Sequence, residues 1–507
     1  MFATLFGVNA YFFQGGGWNQ NARIAQVRAI VEGHTLAIND YLMYRRVRQR
    51  RLARAPIAPG IAWEKVADRA STADVAIAPA TGLLYPNKPP GTMLVTLPSY
   101  AALFAVESAL GADPDEWFVL TLNSQVVTAL SVGLAGALLA VVLLGLSRAL
   151  FPDLPLLAHA AAALTCGLGT LVLPFSTVLF DQVLAAFWPL LAFAALVAGP
   201  RGRPWYAWAA GLAAGLGVLT NYTDAGPAGL LLVYLLVARR HGDAGRYLAG
   251  LLPPALLLLA YQAACFGDPL AVANTFQYSA FTSQGQVFGM LSWPAPSVLW
   301  RLLVSAERGL LLTSPVLALA SVGLVLAWRA GRRLEAAVAA AVFLWFWLLN
   351  ASFNSWQAGW TIGPRYLIPA VPFLCLGLAP AFARLPRTTT AFAAVSAVIL
   401  LLATAVDVQP PRRARIPLVD WIWPLLQGRT VSPYPDIAIK GPVSVNPIGV
   451  YEGFYFRVFP PDAAVNRWNA HNLGEFLFPE SLLSLLPLAL WVGVGVAVTL
   501  RRARQVA

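Results

Sequence analysis

The chain has 507 residues, 58% of them hydrophobic and only 11% charged; a soluble domain carries roughly 25% charged residues, so the composition excludes one and indicates a polytopic membrane protein. A net charge of +12 fits arginines at helix ends facing anionic lipid, and nucleic acid is excluded as a partner. Three cysteines without CxxC spacing and four scattered histidines exclude a disulfide framework and a zinc site, so no metal ligand set is expected.

In chain order, Met1 to Phe13 reads as a retained first helix, short for a span, since no basic segment and no small-residue cleavage site mark it for removal. A polar stretch from Gln14 to about Trp117 follows. Within it Ile24, Val27, Ile30 and Val31 recur at helical spacing opposite Arg23, Gln26 and Glu32, which predicts a helix over Asn21 to Glu32 lying along the membrane surface. Arg45, Arg46, Arg48, Arg50, Arg51 and Arg54 form a basic run suited to water or lipid headgroups. Thr92 to Leu110 has the length of a span, but Pro98 and Glu107 weaken it as a plain lipid-facing one, and a helix lying in the interface is the alternative.

Beyond it long apolar runs recur: Val119 to Leu146, Pro155 to Leu173, Val183 to Ala198, Trp205 to Leu219, Ala225 to Ala238, Tyr247 to Cys265, Gly309 to Trp328, Leu334 to Leu349, Tyr366 to Ala383, Ala391 to Val406 and Leu482 to Leu500. With the first helix these predict an all-α polytopic fold of about 12 transmembrane helices, with interfacial helices in the first external loop. Every second connection is basic, for instance Arg239, Arg240 and Arg246, then Arg329, Arg332 and Arg333, and these are expected in the cytoplasm. The segments Phe266 to Arg308 and Val408 to Glu480 then face outward, and both are rich in aromatic and amide side chains that suit sugars or headgroups. Three parts follow: a core over 1–407 that includes an external loop at 14–117, an external region over 408–480, and a last helix with a basic cytoplasmic tail over 481–507. Gly211 and Gly215 form a GxxxG suited to close helix packing.

Several polar residues stand out against this apolar chain. Lys88, in Tyr85-Pro86-Asn87-Lys88-Pro89-Pro90-Gly91, is one of three lysines in a chain that otherwise uses arginine; it suits a phosphate oxygen, or it is an interfacial lysine before a Pro-rich turn. Gly91 permits a close approach. Asp181 opens a span, where it could act as a base, bind a cation or sugar hydroxyl, or cap the helix. Asp40 and Asp224 are two further acids on the outward side. Trp356, Arg365 and Tyr366 lie in a run from Asn354 to Pro369, and an arginine behind Gly363-Pro364 is well placed to grip a phosphate or to snorkel to headgroups.

The order of these features resembles the GT-C class of polytopic glycosyltransferases, in particular the aminoarabinose-transferase and protein O-mannosyltransferase branch. Lys88-Pro89-Pro90 is similar to that branch's Lys-Pro at a helix start, Asp181 to its Asp opening a later span, and Arg365-Tyr366-Leu367-Ile368-Pro369 to its late Arg-Tyr-x-x-Pro element. The resemblance implies a hexosyl- or pentosyltransferase that moves a sugar from a polyprenyl-phosphate donor to a glycan, lipid or protein acceptor at the outer, periplasmic face of the inner membrane. It implies that Lys88, Arg365 and Arg23 hold the departing phosphate, that Tyr85, Trp356 and Tyr366 line the substrate, and that Asp40 or Asp181 takes the acceptor's proton. It also admits a divalent cation, though no cofactor is required. One departure stands in Trp18-Asn19-Gln20-Asn21-Ala22-Arg23, which has amides where the branch has an acidic pair, and an amide cannot act as the base. The alternative is a transporter or flippase for a lipid-linked or anionic substrate; it calls for two related halves with charges near mid-membrane, and the sequence shows neither.

Overall fold

Apolar runs too long for a soluble core become helices here because only a helix satisfies its own backbone in lipid. A computed structural model of the chain describes residues 1–14, 17–42, 44–46, 52–54, 71–199, 203–278, 281–412, 414–427, 429, 470–479 and 481–505. The side chains of the basic run Arg45 to Arg54 and most of the region Val408 to Glu480 lie outside the described residues.

Among the described residues, six helices are long and apolar enough to cross a membrane: Gly91–Leu110, Phe118–Leu150, His241–Phe266, Arg333–Ser352, Pro386–Val406 and Leu482–Gln505. Five shorter apolar helices, Leu156–Leu168, Gln182–Ala198, Trp205–Thr220, Tyr222–Val237 and Val316–Arg329, lie among them. The fold is that of an all-α polytopic membrane protein, as the runs foretold.

Three expected spans are subdivided. Tyr366 to Ala383 forms two helices, Arg365–Cys375 and Leu378–Arg384, that meet at a bend of 52°; Pro369 tightens the first into a 3-10 turn and Gly377 stands at the break. Gly309 to Trp328 is broken at Ser314-Pro315, and Pro155 to Leu173 after Leu168. The Gly211 and Gly215 face packs as expected: a Cβ at Gly211 would fall 1.9 Å from the carbonyl oxygen of Tyr247, so this helix and His241–Phe266 touch backbone to backbone.

The chain's first helix, α1 (Phe2–Tyr11), packs against the last, where Trp491 donates to the carbonyl of Thr4 at 3.2 Å. After it β1 (Phe12–Gln14) pairs antiparallel with Ala470–Asn472. The helix α2 (Trp18–Gly33) then departs from expectation. It does not lie on a surface with one face in water; Asn19 through Ala29 are all buried. Its polar side chains are matched inside the protein. Arg28 meets Glu32 and Asp115, Gln26 donates to the hydroxyl of Tyr261, and Arg23 meets Asp181. A helix polar on several faces is stable in such a place because its buried charged and amide side chains find partners inside the protein.

Beyond α2 come the helical turn α3 (Asn39–Leu42) and two small hairpins, β2 (Tyr44–Arg46) with β3 (Leu52–Arg54), and β4 (Val75–Ile77) with β5 (Leu84–Pro86). From β5 the chain turns through Asn87 to Pro90 into α4 (Gly91–Leu110), a continuous helix with Pro98 inside it.

Candidate functional site

The site is built around Asp181, the residue before the helix Gln182–Ala198. Its side chain makes no capping hydrogen bond to that helix. Instead one oxygen accepts from Arg23 at 2.8 Å and the other from the amide of Asn221 at 2.8 Å. The side chains of Arg23 and Asp181 are 3% and 5% exposed, so this is an ion pair withdrawn from water. Burial lowers the pKa of Arg23; Asp181 and Asp74 oppose that fall, and the charge of Arg365 adds to it.

The amides that stand where acids were expected are structural. Asn19 accepts from Arg23 at 3.0 Å, Gln20 accepts from the backbone of Leu179, and Asn21 donates to the carbonyl of Ser71. Gln20 ties α2 to the segment that leads to Asp181, Asn21 ties it to Ser71, and Asn19 holds Arg23 from within the same helix.

Arg365 reaches the same place from the late half of the chain. Its guanidinium stacks over the ring of Phe180, 4.8 Å from the centroid, and lies 5.4 Å from that of Tyr366. Phe180 is the residue before Asp181. The Nε of Arg365 is buried and has no hydrogen-bond partner among the described residues. Tyr366 itself packs on Phe353, with centroids 5.1 Å apart.

Lys88 arrives through the packing of Gly91. A Cβ at Gly91 would fall 2.6 Å from the backbone of Leu219 and Thr220, so α4 begins pressed against the end of the helix Trp205–Thr220. Asn221, which holds Asp181, is the next residue. Asn87 donates its backbone N–H to the carbonyl of Asp74 and its amide to Gln277. Lys88 follows Asn87, is half-buried, and forms no ion pair among the described residues. Gly91→Val is expected to force α4 off this helix end at a cost of about 1–3 kcal/mol. A fall in apparent melting temperature of the purified protein, together with reduced activity, checks it; unchanged melting would show that the contact is loose.

The other sequence candidates fall differently. Tyr85 is buried edge-on against Phe266, in an apolar cluster with Tyr261 and Cys265. Trp356 is also buried, and its ring carries the guanidinium of Arg301 at 4.4 Å. Asp40 is exposed in α3, beside the hairpin that Asn39 holds through Leu84. Asp224 is 1% exposed, and neither of its carboxylate oxygens has a partner among the described residues.

Two residues escaped the sequence reading: Asn221, which donates to Asp181, and Arg308, a buried arginine of the later segment. Arg308 is 1% exposed, and its Nε and one terminal nitrogen are unpartnered. Among the described residues no group of three or more His, Cys, Asp and Glu side chains gathers as metal ligands do. Each oxygen of Asp181 accepts one hydrogen bond and keeps further acceptor capacity.

Taken together, the molecule is a polytopic helical membrane protein in which a buried ion pair, Arg23–Asp181, joins an early and a middle segment, with Arg365 from a late segment packed on the neighbouring Phe180. No family model matches the chain, and no curated protein matches it. Among solved structures it is similar to ArnT from Cupriavidus metallidurans bound to undecaprenyl phosphate, at 17% identity over 80% of this chain and 61% of that one, with a TM-score of 0.45. It is also similar to the archaeal oligosaccharyltransferase AglB from Archaeoglobus fulgidus in complex with an inhibitory peptide and a dolichol-phosphate, at 11% identity over 97% of this chain and 67% of that one, with a TM-score of 0.48. The chain spans 63% of the apo ArnT chain to which it is likewise similar.

Proposed function

We propose that the chain is a GT-C-class glycosyltransferase that moves a sugar from a polyprenyl-phosphate donor to an acceptor hydroxyl at the outer face of the inner membrane. The observation that carries this reading is Arg365, whose guanidinium lies on the ring of Phe180 beside the complete ion pair Arg23–Asp181 and whose buried Nε has no partner among the described residues, with Lys88 likewise outside any ion pair among them. A lipid-linked phosphate supplies the missing anion.

In this reading Arg365 offers its guanidinium to the phosphate oxygens, and Lys88 adds a point charge on a flexible stem. As the bond from the sugar to the phosphate oxygen breaks, negative charge grows on that oxygen, and two fixed cations in a poorly hydrated place stabilise it. Arg23 directs its Nε to Asn19 and one terminal nitrogen to Asp181, so its main part is to position that carboxylate. The attacking hydroxyl gives its proton to Asp181, whose position Arg23 and Asn221 define.

Two substitutions separate the acids. Asp181→Asn is expected to lower transfer by about 10²–10⁴-fold, the usual contribution of a positioned base, whereas Asp40→Asn at the exposed turn leaves it within about threefold. The reverse ranking, in a membrane assay at equal protein level, would move the base to Asp40. Mass spectrometry of cell-surface glycans and lipids with and without the gene tests the activity itself; an unchanged glycan profile would overturn it.

A further inference from the structure

A cavity of about 400 Å³ opens at the far end of the bent helix pair that Arg365 begins. Arg384, the last residue of that pair, lines it, so roughly 25 Å of helix at 1.5 Å per residue separates it from the ion pair's surroundings. The space arises from how two helices meet. A Cβ at Gly323 would fall 1.7 Å from the carbonyl oxygen of Gly377, and one at Gly377 would fall 2.0 Å from that of Ala320, so Val316–Arg329 and Leu378–Arg384 touch backbone to backbone there. Just beyond that contact the facing residues are small, Ala327 and Ala330 on one helix and Ala383 on the other, and no side chain fills the gap. The turn after Leu150 closes the third wall.

Three charged side chains line this cavity: Asp153 from that turn, Arg332 and Arg384. Arg332 follows Gly331, whose φ of 89° turns the chain back between two helices, and Arg384 lies in the last turn of its own. None of the three forms an ion pair among the described residues, although an acid and two arginines share one cavity. Each therefore keeps its donors or acceptors for something else. The charge alternation puts this end of the helices at the cytoplasmic surface, and the exposed Trp328 beside Arg329 marks the depth at which indole rings sit among headgroups. Below the charges the walls are apolar, with Leu150 and Leu326 among them.

We infer that the cavity seats the headgroup of an anionic phospholipid of the cytoplasmic leaflet, its phosphodiester on Arg332 and Arg384 and a headgroup hydroxyl on Asp153. Two guanidinium groups and one carboxylate leave one positive charge in excess, which a single phosphodiester balances. An aminoethyl headgroup brings its own ammonium and leaves that excess in place. A free phosphate satisfies the arginines but gives the apolar walls no acyl chain to cover them, whereas a lipid does both. The seat is independent of sugar transfer, since it lies at the other end of the bent pair and shares no residue with the ion pair.

The test is binding of phosphatidylglycerol, phosphatidylethanolamine and phosphatidylcholine of equal acyl length to the purified full-length protein, by native mass spectrometry. The wild type is expected to prefer phosphatidylglycerol over both others by about tenfold or more, the scale of one charge-assisted hydrogen bond. Arg332→Gln and Arg384→Gln are each expected to reduce that preference to within about threefold. Ala383→Trp fills the cavity from an exposed position without changing a charge and should do the same, whereas Arg387→Gln, an equal loss of charge on an exposed residue outside the cavity, should leave the preference intact. Equal loss in Arg387→Gln and Arg384→Gln would show diffuse surface attraction and overturn the inference. So would a wild-type preference for phosphatidylethanolamine that Asp153→Asn abolishes, and so would displacement of the lipid by millimolar inorganic phosphate.

Discussion

Lys88→Ala and Arg365→Ala are each expected to lower glycan transfer by about 10²–10³-fold, the usual cost of removing one group that stabilises charge growing in a transition state. The ranking within the site is as informative as the size. Arg365 is held over the ring of Phe180 and keeps a buried, unpartnered Nε, so Arg365→Lys should recover only part of the loss, because an ammonium neither stacks on the ring nor presents two parallel N–H donors. Lys88 is half-buried on a turn that Pro89, Pro90 and Gly91 constrain, so Lys88→Arg is expected to retain more activity than Lys88→Ala. Arg246, exposed at the far end of the fold and paired with Asp243, serves as a control whose replacement leaves transfer unchanged. The measurement is transfer in membranes at equal protein level, with donor binding followed in parallel. If both alanine variants transferred at the wild-type rate, the phosphate-gripping mechanism would be wrong.

How much of this was legible in the sequence depended on the physical scale of each signal. The spans were readable because a run of apolar side chains in lipid has almost no structural choice but a helix, and the boundaries expected for Val183 to Ala198 and Trp205 to Leu219 fall within a residue of those found. Asp181 and Arg365 stood out in the sequence as charges in an apolar chain, which carry a cost that a partner or a role must offset. The helix α2 was misread because periodicity reports where polar groups point and not what meets them. Arg23 finds its carboxylate 158 positions away, and Gln26 its hydroxyl 235 positions away. Asn221 was invisible for a related reason: it looks like an ordinary loop residue until the fold brings it to the ion pair. Arg308 closed an outward loop beside Arg301 and Glu307, a pattern that reads as a solvated charge cluster. Only the side-chain geometry shows that Glu307 has gone to Arg301.

The Arg23–Asp181 pair should behave as a single unit in stability even though only one partner is asked to do chemistry. Removing either charge alone leaves the other buried at 3% or 5% exposure, a loss expected to cost about 3–5 kcal/mol. Arg23→Met strands the carboxylate with Asn221 as its one remaining donor, and Asp181→Asn strands a guanidinium that already feels the charge of Arg365. The double variant removes both charges and should recover much of the loss, with a coupling of roughly 1–3 kcal/mol. Thermal melting of the purified protein measures this cycle, and strictly additive losses would show that the two side chains are independent. Activity should part from stability in the same set. The double variant is expected to melt closer to wild type than either single one and still fail to transfer sugar, because it keeps the packing that holds Lys88 and Arg365 but has no carboxylate to take the proton.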